Sequence, residues 1–143
     1  MLLHPKKTKF KSAFGRKRMK CITNPILRSS LKCFGIISYE TGKINNKQIE
    51  ALRKIMKRSL KSYGKFWLNI FPNISVTKKS EGIRMGKGKG NIKFWFNSVS
   101  KGTVIAEMNG CSWGQAKKIT RLVKDKLSVK VFLFLKKART QKN

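Results

Sequence analysis

The chain has 143 residues, and its 35 Lys+Arg against five acids give a net charge of +30. Self-repulsion at that charge makes a polyanionic partner close to obligatory, and cations spread along the whole chain favour nucleic acid over a membrane surface. A hydrophobic fraction of 40% excludes a wholly disordered basic tail, so one folded domain with basic extensions is expected.

Residues 1–30 hold Lys6, Lys7, Lys9, Lys11, Arg16, Lys17, Arg18, Lys20 and Arg28 with no carboxylate. Such a segment is a counterion-releasing arm, ordered mainly on binding and steeply salt-dependent in its contacts. Phe10 and Phe14 within it read either as base-stacking residues or as anchors on the protein's own surface. Leu31 to Tyr39 is apolar, β-branched and aromatic, which predicts a strand with a bulge at Gly35. Thr41-Gly42 then reads as a turn, and Asn45 with Gln48 as a capping box. Ile49, Leu52, Ile55, Met56 and Leu60 recur at helical spacing, predicting an amphipathic helix over 46–63 with Gly64 as its stop.

Lys65 to Phe71 is a strand candidate closed by Pro72-Asn73, and Ile74 to Thr77 a short one. The run Arg84-Met85-Gly86-Lys87-Gly88-Lys89-Gly90-Asn91 follows. Alternating glycines let a backbone approach a crowded polyanion, and alternating lysines place cations on it. Residues 92–108, with a turn at Ser100-Lys101-Gly102, read as a β-hairpin. Ser112 with Gln115 is a second capping box, opening a helix near 113–127 whose apolar positions are Ala116, Ile119, Leu122, Val123 and Leu127. Val129 to Leu135 is a last strand, and 136–143 a basic tail. Without a repeating βα unit, the class is α+β: a basic arm over 1–30, one domain over 31–135, and the tail.

The Gly/Lys run fails both nucleotide-binding templates. A phosphate-binding P-loop needs a hydroxyl residue after Gly-Lys, where Gly88 stands, and the dinucleotide fingerprint needs a third glycine where Asn91 stands. Glu40, Glu50, Glu81, Glu107 and Asp125 are scattered, with no pair at metal-binding spacing. Cys21, Cys33 and Cys111 contain no Cys-x-x-Cys pair and, with His4, lack ordinary zinc-ligand spacing; they read as reduced thiols, Cys33 and Cys111 half-buried. The residues therefore call for no cofactor, no metal and no catalytic group. No apolar stretch approaches the roughly 18 residues of a spanning helix. The chain reads as a binder.

Several ordered motifs resemble the L-sixteen family of large-subunit ribosomal proteins in its bacterial and organellar form. They are Pro5-Lys6-Lys7-Thr8-Lys9-Phe10, Lys47-Gln48-Ile49-Glu50-Ala51, Lys65-Phe66-Trp67-Leu68 with Ile70-Phe71-Pro72, Arg84 to Gly90 with Trp95 downstream, and Glu107-Met108-Asn109-Gly110. The segment Leu31 to Ile44 departs from the family pattern, as do Asn109, in place of aspartate, and Asn69, where a basic residue is frequent. The resemblance implies two helices on a mainly antiparallel sheet and a structural place in the large subunit, near the aminoacyl-tRNA site and peptidyl transferase centre. It implies large-subunit rRNA, aminoacyl-site tRNA and neighbouring ribosomal proteins as partners. Lys6, Lys7, Lys9, Lys11, Arg16, Lys17 and Arg18 would meet rRNA, and Arg84, Met85, Gly86, Lys87, Gly88, Lys89 and Gly90 would form a tRNA-facing loop.

A composition poor in Ala and rich in Lys, Ile, Phe and Asn, with no presequence before the Pro5 motif, points to an organelle-encoded mitochondrial protein. A bacterium with an A+T-rich genome is the alternative. A basic RNA-processing factor and a free DNA-compacting protein are the competing functions; co-migration with large subunits, released only by high salt, separates the ribosomal reading from both.

Overall fold

The computed structural model describes residues 3–10, 33–61, 63–86 and 88–136. Among these residues seven strands and two helices follow in the order β1 (Cys33–Ser38), β2 (Gly42–Asn45), α1 (Asn46–Leu60), β3 (Lys65–Leu68), β4 (Ile74–Lys78), β5 (Asn91–Val99), β6 (Val104–Asn109), α2 (Trp113–Lys124) and β7 (Val131–Lys136). The strands form two antiparallel sheets: a four-stranded one ordered β3-β6-β1-β7 and a three-stranded one ordered β2-β5-β4. The architecture is α+β, as the irregular segregation of elements predicted.

One cluster binds the two sheets and two helices together. α1 contributes Ile49, Leu52, Met56 and Leu60, and α2 contributes Ala116, Ile119 and Val123. These meet Ile36, Ala106 and Met108 from the larger sheet and Ile44 and Val99 from the smaller. The spacing of apolar residues in each helix thus serves a single core. Leu122 is the exception: it is half exposed, on the outer side of α2, because Ile119 and Val123 already complete the inward stripe. Cys33 is fully buried rather than half-buried, since β1 is an inner strand of its sheet; Cys111 is intermediate.

Residues 92–108 do not form a hairpin. β5 pairs with β2 and β4, whereas β6 pairs with β1 and β3, in the other sheet. The turn at Ser100–Thr103 docks on the end of β1: Gly102 N–H donates to Ser38 O at 2.8 Å, and Ser38 N–H donates to Thr103 O at 3.0 Å. That docking delivers β6 alongside β1 and prevents its return to β5. The buried run Val104-Ile105-Ala106-Glu107-Met108 fits a strand covered on both faces.

Smaller differences have local causes. The irregularity in β1 lies between Ile36 and Ile37, where the pairing with β6 shifts, while Gly35 stays in register opposite Glu107. α1 ends at Leu60 because Lys61 turns into the left-handed region at φ 50°. Gly64 then closes the exit, its N–H donating to Leu60 O at 3.2 Å. Thr41-Gly42 leads straight into β2, a four-residue strand whose only buried side chain is Ile44. The second capping box is complete, with Gln115 N–H donating to Ser112 Oγ at 3.3 Å and Ser112 N–H to Gln115 Oε1 at 3.0 Å. At the first, Asn45 N–H donates to Gln48 Oε1 at 2.9 Å.

Candidate nucleic-acid interface

β4 and β5 are the true hairpin. They pair from Ile74 opposite Phe96 to Lys78 opposite Asn91, so residues 79–90, containing the Gly/Lys run, connect two neighbouring strands at the hairpin's end. Each glycine of the run has its own reason to be one. Gly86 and Gly88 hold φ of 97° and 78°, and a Cβ on either would meet nothing within 4 Å, so backbone conformation alone selects glycine there. Gly90 sits at the base of the loop, where a Cβ would lie 2.7 Å from the Lys78 carbonyl. The first two let the finger bend, and the third seats it against β4.

Every described residue from Glu81 to Lys89 is exposed, and Met85 is 101% so. Ile83 and Met85 stand in water among Arg84, Lys79 and Lys89, around an open concavity of about 560 Å³. Glu81 is the one carboxylate in this loop, and its contact with Lys78 is a 4.0 Å surface pair worth little. Lys79, which the sequence did not single out, has a positioning role: its Nζ donates across the base of the loop to Gly86 O. Its only sequence signal was its place in the Lys78-Lys79 pair just before the run.

The start of the amino-terminal arm is seated beside this hairpin. Leu3 packs against the core, and the His4 ring stacks on Trp95 of β5 with centroids 6.5 Å apart and planes at 27°. Leu3 and His4 also share a hollow with Lys47, Glu50 and Lys54 of α1. From that anchor Lys6, Lys7 and Lys9 lead off exposed, and Phe10, 71% exposed, is not buried against the protein's own surface. The same segment that begins the arm therefore touches the strand that carries the loop. Lys11, Arg16, Lys17, Arg18 and Lys87 lie outside the described residues, as do Phe14, Cys21 and the tail beyond Lys136.

The basic face of α1 is only slightly offset by its own acid. Glu50 accepts from Arg53 at 2.7 and 3.1 Å, and that hydrogen bond holds its carboxyl below the usual range. Lys47, Lys54, Lys57, Arg58 and Lys61 are exposed. In β6, buried Glu107 accepts from Asn69 Nδ2 at 2.6 Å, so two positions singled out by the resemblance, one matching and one departing, are hydrogen-bonded to each other. Burial pushes the Cys111 thiol pKa up. Among the described residues no group of three or more His, Cys, Asp and Glu could hold a metal ion, and no helix is long and apolar enough to cross a membrane.

Positive-φ glycines, clustered cations and exposed apolar side chains at the end of a paired hairpin suit contact with a nucleic-acid backbone. Comparison with known proteins identifies the family. Residues 5–133 match the model of the family described as ribosomal protein L16p/L10e. The protein called large ribosomal subunit protein uL16 from Thioalkalivibrio sulfidiphilus is 37% identical over 130 residues, covering 90% of this chain and 93% of its own. Its namesakes from Aeromonas hydrophila and Buchnera aphidicola are 36% and 35% identical, each covering 94% of this chain and 98% of its own. The chain belongs to the ribosomal protein L16p/L10e family.

Proposed function

We propose that the Gly/Lys finger and the amino-terminal arm are the RNA-facing parts of this protein, the finger meeting aminoacyl-site tRNA and the arm large-subunit rRNA. As a member of its family the chain is a structural constituent of the large ribosomal subunit. In that setting it performs no chemistry: it positions rRNA, completes the tRNA channel late in assembly, and sets cations against phosphates beside neighbouring ribosomal proteins. The observation that carries the reading is the exposed loop at the end of the β4–β5 hairpin, with three positive-φ glycines, one carboxylate and a solvent-facing Met85. Arg84, Lys87 and Lys89 supply the charge. Lys6, Lys7, Lys9, Lys11, Arg16, Lys17 and Arg18 do the same along the arm.

The setting we favour is a mitochondrial ribosome, on a composition rich in Lys, Ile, Phe and Asn. The relatives named above are bacterial, and a bacterial ribosome is the alternative. Ribosomes carrying Lys87→Ala with Lys89→Ala test the role of the finger. Their aminoacyl-site tRNA affinity should fall and its dependence on salt flatten, with subunit assembly largely intact, because each phosphate no longer neutralised means about one counterion fewer released. A salt slope equal to that of wild-type ribosomes would overturn the assignment.

A further inference from the structure

A second basic surface lies along α2 and the outer strand β7. The α2 face presents Lys117, Arg121 and Lys124 to a hollow of about 730 Å³ that is floored by Phe132 and Leu133 and closed at its far end by Trp113. A second hollow, of about 460 Å³, shares Lys124 and Phe132 with the first and continues to Lys130 and Tyr39. The two form one groove. Helical rise makes the α2 side alone roughly 18 Å long.

Three aromatic side chains stand along it half exposed: Trp113 at 53%, Phe132 at 39% and Tyr39 at 59%. Each is held from the protein side. Trp113 packs on Phe34 with centroids 5.8 Å apart, Phe132 is paired in β7 opposite Ile37, and Lys101 Nζ lies 5.1 Å from the Tyr39 ring. The nearby carboxylates are outnumbered: Glu40, whose carboxylate accepts from Lys130 N–H at 2.8 Å, lines the groove with Lys117, Arg121, Lys124 and Lys130, and Asp125 is exposed beyond the end of α2. α1 is equally basic, yet its sequence has no aromatic residue. Charge alone, as on α1, suits any polyanion; spaced aromatics among cations suit one kind.

We infer that this groove binds an unpaired stretch of RNA, with Trp113, Phe132 and Tyr39 as stacking platforms and Lys117, Arg121, Lys124 and Lys130 tracking the phosphates. Base stacking needs exposed base faces, which a duplex hides and a single strand offers. An acidic protein segment would use the cations and leave the three rings idle. The inference rests on the chain being an RNA-binding ribosomal protein, but on neither the finger nor its tRNA contact.

The test uses the purified full-length chain, an oligouridylate, and a duplex RNA of matched charge. Tyr39→Leu and Phe132→Leu should each weaken oligouridylate binding about 5- to 150-fold, the range of one base–aromatic contact, and leave duplex affinity and both salt slopes unchanged. Tyr39→Phe should restore binding. Lys117→Ala with Arg121→Ala should weaken both ligands and reduce the single-strand salt slope by about 0.7 for each phosphate those side chains had neutralised. Tyr39 lies in an exposed turn, so its replacement leaves the core intact even where Trp113→Leu disturbs Phe34. Unchanged oligouridylate affinity in both aromatic variants would overturn the groove, as would displacement of the oligouridylate by polyglutamate equally well in wild type and variants. Lys87→Ala with Lys89→Ala, run alongside, should leave the aromatic effects in place, which separates failure of the groove from failure of the finger.

Discussion

At Gly88 a single backbone angle bears on the proposed role of the finger. At φ 78° with open space around it, it accepts no β-branched residue without strain, although nothing would clash. Gly88→Val should therefore cost about 1–3 kcal/mol locally and bend the finger, lowering aminoacyl-site tRNA affinity while the melting of the core stays unchanged. Normal tRNA binding in that variant would reduce the loop to a solvated turn. Asn69 makes a different kind of contribution. It donates to Glu107, an acid buried in a strongly cationic protein, so Asn69→Leu removes a donor from a desolvated carboxylate. Chemical denaturation should register a loss of about 1–3 kcal/mol, with Asn69→Gln losing less. The pattern of residue types made the finger conspicuous, but it did not reveal Lys79 reaching back to Gly86, because that contact exists only once the loop has folded over its base.

Among the elements, the two helices were the most legible, for a physical reason. Each carries its own signal: an apolar stripe at helical spacing and a cap whose partner lies three residues away. Leu52→Ala should remove about 2–5 kcal/mol in a denaturant titration, because Leu52 is fully buried in the shared core. Leu122→Ala, on the open side of α2, should change stability by less than about 0.5 kcal/mol. Strand partners were less legible. β5 and β6 are adjacent, antiparallel-competent and separated by a plausible turn, so local pattern suggests a hairpin. What decides otherwise is the capture of Gly102 and Thr103 by Ser38, more than sixty residues away in sequence and absent from any local window. β2 escaped notice because its four residues bury one side chain. The candidate site inherits this history. The Gly/Lys run was visible, while its position at the end of β4–β5, and the stacking of His4 on Trp95 beside it, followed from pairings the chain does not advertise.

At the scale of the whole molecule, a net charge of +30 has to be balanced by a partner, and the fold distributes the charge with purpose. One shared core holds two sheets and two helices, leaving the hairpin finger, the start of the arm, the basic face of α1 and the α2–β7 groove facing outward. Several basic surfaces on a small core suit a protein that fills space between RNA segments, with affinity that falls steeply as salt rises. The central claim is that the finger faces RNA, and a photo-crosslinking amino acid placed at Met85 in assembled ribosomes tests it most directly. Met85 is wholly exposed, so the probe disturbs no packing. Crosslinks to RNA are the predicted result, with tRNA labelled when the aminoacyl site is filled. Crosslinks confined to neighbouring ribosomal proteins, with or without tRNA, would contradict it.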